Sequence, residues 1–154
     1  PGHPIPDYIQ ELTRINDSMV NQAPSISTVL PAFFEFLGSH QETVLVAQNA
    51  PFDLFFLKHY SKVHDYPWPS FAVLDTAIIA RKVLTRDEVP NCKLGTLAAF
   101  FGTQTTPNHR ALDDARATVD VLHGLIERLG SFDIYTLEEL HNFGKRVKKP
   151  KSGK

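Results

Sequence analysis

The sequence is short of cysteine, of long apolar runs and of strand-forming segments, and each shortage narrows what the chain can be. A single cysteine, Cys92, leaves no internal disulfide to form, so a fold stapled by bridges is excluded and a reducing, cytoplasmic setting is expected. No stretch approaches the roughly 18 apolar residues of a membrane span, and no signal-peptide pattern opens the chain, so no membrane partner is expected. No internal repeat is visible. What is present, 42% hydrophobic residues with 11 Phe in 154 positions, suffices for one ordinary packed domain.

Charge is divided unevenly. Residues 145–154, KRVKKPKSGK, carry six of the 16 Lys and Arg and no acid, which leaves ten cations against 17 acids, a net −7, for residues 1–144. A basic tail adds non-specific phosphate affinity, although Pro150 and Gly153 favour a disordered solubilising end. The expected organisation is therefore a domain over 1–144 and a basic tail over 145–154. The chain opens at Pro1, in the Pro-rich PGHPIPDYIQELTRIND, with no strand signal and no Met; it reads as a piece of something longer.

Periodicity places helices over 25–40, 51–64, from Thr76 onward, over 93–102, over 111–130 and over about 136–148. Short apolar segments at TVLVAQ (43–48) and FAVLDT (71–76) suit buried strands. Alternation of these with helices predicts an α/β domain, yet two strands are too few for a stable sheet.

The carboxylates differ by position. On a helical wheel with Leu112 at zero, Ala115, Thr118, Val119, Leu122, Leu125, Ile126 and Leu129 span about 220° to 340°, the expected buried face. Asp113 and Asp120 fall among other charges and read as solvent-facing. Asp114 lies near 200°, on the rim of the apolar arc, where a carboxylate needs a partner or a cation; an exposed pair with Arg110 is the bland alternative. His109, after Pro107 and Asn108, is either a polar loop residue or part of a site. Asp53 stands in the first turn of a helix, where it stabilises the helix dipole by itself. It also stands just beyond a strand's carboxyl end, where open α/β sheets collect ligands. Asn49 ends that strand and caps or shapes the turn. Aspartates without cysteine suit Mg²⁺ or Mn²⁺, and a histidine beside them suits a general base toward water, which together favour metal-assisted phosphodiester hydrolysis.

NAPFD (49–53) and HRALDDA (109–115), with Asp53 standing 56 positions before His109, resemble the second and third motifs of the DEDDh 3′→5′ exonucleases, the family of the bacterial DNA polymerase III epsilon proofreading subunit. The resemblance runs to about residue 130. It implies an RNase H-like fold with a mixed central sheet. It also implies removal of nucleoside monophosphates from a DNA or RNA 3′ end with two divalent metal ions. By the same resemblance Asp53 and Asp114 are metal-binding carboxylates and His109 is the base. LTRIND (12–17) is similar to the family's Leu-Thr-Gly-Ile-Thr loop, which makes Leu12 and Ile15 substrate-contact candidates, or else core residues, and adds Asn49 to the substrate set. A polymerase subunit is an implied partner.

The departures are specific. The family's first motif, Asp-x-Glu on an opening strand, occurs nowhere in the 154 residues, so half of the implied metal site and the strands that carry it would lie before Pro1. Gln48 stands where the family has His, and Arg14 and Asn16 replace the loop's Gly and Thr. The competing reading is an inactive exonuclease-like module that binds nucleic acid or a polymerase subunit. A third, an unrelated α/β interaction domain, requires Asp53 and Asp114 to lie far apart.

Overall fold

A computed structural model of the chain describes residues 3–143; the basic tail expected at 145–154 lies outside them. At the centre is one βαβ unit. β1 (Val44–Ala47) leads through α4 (Ala50–Val63) to β2 (Ala72–Asp75), and the strands pair in parallel with Val44 opposite Ala72 and Ala47 opposite Asp75. A helical crossover permits a parallel pair, where a tight turn would force an antiparallel one. The described residues thus hold a two-stranded parallel sheet, and none supplies the antiparallel strands of a mixed one. Both strands keep partly exposed apolar side chains, Val46 and Val73 among them.

Before the unit lie α1 (Asp7–Thr13), α2 (Asp17–Val20) and α3 (Ile26–Leu37); after it come α5 (Thr76–Val83), α6 (Leu94–Phe101), α7 (Ala111–Gly130) and α8 (Leu137–Asn142). α3, α4, α6 and α7 fall where periodicity puts them. The first two helices do not, because neither buries a residue and so neither shows an apolar stripe. α2 instead forms on its cap: the Asn16 side chain accepts from the Met19 amide. α8 begins on a capping box between Thr136 and Glu139, whose carboxylate accepts from the Tyr135 and Thr136 amides and is thereby held below its ordinary pKa. It ends at Asn142, since Phe143 is extended; the rest of the helix expected toward 148 lies outside the described residues.

The core sits in the C-terminal half. Ile79, Ala80 and Val83 of α5, Leu97 of α6, and Val121, Leu125 and Leu129 of α7 form one buried cluster, closed by Ile134 and Leu140. Gly124 lets the Phe101 ring lie directly on α7, since a Cβ there would collide with it. The buried face of α7 is Ala117, Thr118, Val121, Leu125 and Leu129, centred on about 200° of the wheel. This corrects the expected arc: Val119 and Ile126 are 49% and 53% exposed and Ala115 is exposed with them, beside Leu112 at the zero of the wheel, 63% exposed. Two apolar sectors share this helix, and only one of them packs on α5 and α6. Asp114 consequently lies along the middle of the packed direction, one turn before Thr118, and not on its rim.

Arg14 closes α1 in the left-handed region at φ 57°, the position at which the family's loop has glycine. A side chain with a Cβ pays about 1–2 kcal/mol for that conformation, partly offset by glycine's larger unfolded-state entropy. Arg14→Gly is expected to stabilise the chain by about 0.5–1 kcal/mol, read as a higher denaturation midpoint; a lower midpoint would show that the arginine side chain itself holds the loop.

Candidate active site

Parallel strands end on the same side of a sheet, so Ala47 and Asp75 deliver their following turns to one place. Asp75 ties those turns together. Its Oδ1 accepts from the amides of Asn49 at 3.2 Å, Ala77 at 2.9 Å and Ile78 at 3.3 Å, and its Oδ2 from Ala50 at 3.0 Å. Four amide donors compensate a buried carboxylate, and they fix the first turns of α4 and α5 to each other. Asn49 takes φ 65°, a conformation that asparagine tolerates, and its side chain makes no cap bond to α4. It shapes the turn through its backbone, and its amide side chain is left for other use. Gln48 is also occupied architecturally: its Nε2 donates to the Cys92 carbonyl at 2.7 Å, and its Oε1 bonds the Thr76 hydroxyl.

The second half of the site is the turn before α7. Asp114 is half-buried, and its Oδ1 accepts from the Asn108 amide at 3.0 Å and the His109 amide at 3.2 Å. Arg110 is not its partner. The guanidinium instead donates from Nη1 to the carbonyls of Thr13 at 3.4 Å and Arg14 at 3.3 Å. The bland pairing is thereby excluded, and the segment of Leu12 and Ile15 is tied to the catalytic candidates. Asp113 braces the same turn, accepting from the Asn108 side chain at 2.9 Å. His109 has φ 66°, and its backbone N–H donates to the Asp114 carboxylate from that conformation. Leu12 is 46% exposed and Ile15 half-buried; neither is a core residue.

Asn49 and His109, one from each motif, line a single cleft of about 1130 Å³. Asp53 and Asp114 are not among its lining residues, and no group of three His, Cys, Asp or Glu poised for a metal occurs among the described residues. Three features escaped the sequence pattern: the Asp75 hub, the Gln48 bridge, and the cationic side chains Arg81, Arg86 and Lys93 that line the cleft. The terminal Asp of a strand followed by Thr was the available signal for the first. The other two depend on contacts across 28 and 44 positions or on loop placement, which carry no periodicity.

Asp53 is exposed as a residue, yet its carboxyl is pushed above the ordinary carboxylate pKa. Desolvation contributes most, opposed by a backbone hydrogen bond, with the Asp75 charge adding to the rise. A carboxylate such as that of Asp53 is a hard-oxygen donor of the kind a hard divalent cation takes, and exonucleases of this kind generally use divalent metals. The sign follows from the upward shift: the fold favours the protonated form, so the contribution of Asp53 to stability is lost as pH rises through its folded pKa. A cation needs the charged form. Saturating Mn²⁺ is therefore expected to raise the melting temperature by about 5–10 °C near pH 7.5 and by less at a pH low enough to protonate Asp53. An equal rise at both, or one unchanged in Asp53→Asn, would remove Asp53 from the metal set.

Residues 1–122 match the RNase_T family, described as exonuclease. The chain belongs to this exonuclease family, and its fold is the RNase H-like α/β fold of such enzymes. It is 51% identical over 143 residues to a protein of Mycobacterium tuberculosis whose name makes it a candidate bifunctional exonuclease/endonuclease, covering 93% of this chain and 22% of that one. It is 38% identical over 142 residues to the PolC-type DNA polymerase III of Caldanaerobacter subterraneus, covering 92% of the chain and 10% of the polymerase. The DNA polymerase III subunit epsilon of Aquifex aeolicus is 33% identical over 147 residues and is 69% covered. Among solved structures, exonuclease X in complex with 5′ overhanging duplex DNA superposes with a TM-score of 0.65 at 25% identity, over 93% of this chain and 76% of that one. The chain thus spans under a quarter of the first two relatives. The family is one of exonucleases, hydrolytic nucleases as a class. No helix among the described residues is long and apolar enough to cross a membrane.

Proposed function

We propose that the chain is the nuclease part of a metal-dependent 3′→5′ exonuclease that removes nucleoside 5′-monophosphates from DNA ends, in association with a DNA polymerase and within the cytoplasm. The observation that carries this is the meeting of Asn49 and His109 in one cleft while the carboxylate of Asp114 holds the His109 backbone. In this reading Asp53 and Asp114 hold the divalent cations, whose chemistry is to neutralise charge on the scissile phosphate. His109 takes a proton from water as the water oxygen attacks phosphorus. The bond from phosphorus to the 3′ oxygen breaks, and that oxygen is protonated from solvent to leave a new 3′ hydroxyl. Asn49, with Leu12 and Ile15 on the loop that Arg110 secures, contacts the terminal nucleotide.

The absence of Asp-x-Glu, and of any three-ligand group among the described residues, favours a second reading, an inactive module that binds nucleic acid or a polymerase subunit. The two are separated by incubating the chain with a 5′-labelled oligonucleotide in Mg²⁺, in Mn²⁺ and in chelator. Stepwise shortening with either metal, abolished by chelator, is expected of the exonuclease; an oligonucleotide bound but intact under all three conditions supports the module.

A further inference from the structure

The cleft beside His109 has an electrostatic character that the catalytic reading does not use. Arg81 from α5, and Arg86 and Lys93 from the segment between α5 and α6, line it, and no aspartate or glutamate does. This occurs on a chain whose residues 1–144 carry a net −7. Two carboxylates follow Arg86 in the chain: Glu88 is engaged elsewhere, accepting from the Thr85 amide and hydroxyl and pairing with Arg128, while Asp87 is exposed, does not line the cleft and makes no ion pair with its cations. Among the described residues Arg81, Arg86 and Lys93 have no ion-pair partner. All three are exposed, so their charges are available without unfolding anything. The volume, about 1130 Å³, lies above the 300–1,000 Å³ typical of small-molecule pockets and suits a length of polymer.

We infer that this cleft binds the phosphodiester backbone of the nucleic-acid strand on the 5′ side of the nucleotide being removed. The inference deepens the exonuclease reading and rests on it for the identity of the strand. Because Asn49 and His109 open onto the same cleft, a strand whose terminal nucleotide lies at His109 passes its next phosphates along the three cations. Unpaired guanidinium and ammonium groups take phosphate oxygens as charge-assisted acceptors, without reading sequence. The site therefore sets affinity and register, and leaves base identity unread.

The test is binding of a 5′-fluorescein oligothymidylate of about 20 nucleotides, measured in chelator over a range of salt. The R81A/R86A/K93A chain is compared with wild type. Affinity is expected to fall about 10-fold or more, and the slope of log affinity against log salt to shrink by about 2, from three lost contacts at about 0.7 each. Arg86→Ala alone should remove about one contact's worth of slope, which keeps the test open should the triple variant unfold. Lys62→Ala, a charge removed from α4, should leave the slope unchanged. Thymidine monophosphate should bind all variants alike; an equal loss for it would overturn a strand site in favour of a free-phosphate site. Unchanged affinity and slope for the oligonucleotide, or no binding by wild type, would overturn the inference. Metal-dependent shortening by the same wild-type preparation judges the exonuclease reading separately, since binding in chelator is scored without it.

Discussion

Asp114→Asn is expected to lower metal-dependent shortening of a 3′ end by about 10²–10³-fold while leaving the melting temperature nearly unchanged. The carboxylate makes two bonds in the fold, accepting from the Asn108 and His109 amides through Oδ1 alone. An asparagine carbonyl can accept both, more weakly than the carboxylate, so the turn before α7 keeps its shape. What disappears is the negative charge that, in the proposed function, would hold a cation against the scissile phosphate, a contribution of several kcal/mol to transition-state stabilisation at about 1.4 kcal/mol per tenfold in rate. Asp113→Asn is the matched control, because Asp113 accepts from the Asn108 side chain and pairs with Arg116, an asparagine carbonyl can keep the first bond, and Asp113 has no part in the proposed metal site. Loss of activity in the control, or activity retained in Asp114→Asn, would overturn the assignment of the metal carboxylate.

His109→Asn is expected to lower the rate by about 10²–10⁴-fold, the range for a removed general base, with oligonucleotide affinity in chelator unchanged. Asparagine is the appropriate replacement because His109 has φ 66°, a region asparagine enters readily and alanine does not. An alanine variant would confound lost chemistry with added strain. The remaining activity should climb with pH, as hydroxide replaces the water that His109 deprotonates. A rate that falls by less than about tenfold, or affinity lost in proportion to rate, would make His109 a binding residue and not the base.

The two halves of the site were legible to different degrees. NAPFD and HRALDDA name their residues because each sits at the start of a helix whose periodicity is strong, so the sequence marks where the strand or loop ends and the side chain emerges. α7 begins and ends where that periodicity puts it. Its orientation was less legible, since Leu112, Val119 and Ile126 form an apolar sector as regular as the packed one. α1 and α2 were illegible for the opposite reason, having no buried residues to impose a stripe. Arg110 illustrates a further limit. Position alone pairs it with Asp114 four residues on, but its long side chain reaches carbonyls nearly a hundred positions away, and no local pattern encodes that choice. The Asp75 hub is similar, because its meaning lies in amides that come together only when β1 and β2 pair.

The link from Arg110 to the carbonyls of Thr13 and Arg14 has a consequence for local stability. α7 rests on the buried cluster of the C-terminal half, whereas α1 contributes nothing to a core. Opening of α1 therefore sacrifices little apolar contact and belongs to the low-energy end of the molecule's fluctuations. The Leu12 to Ile15 segment is a light flap moored by one guanidinium to a heavy anchor.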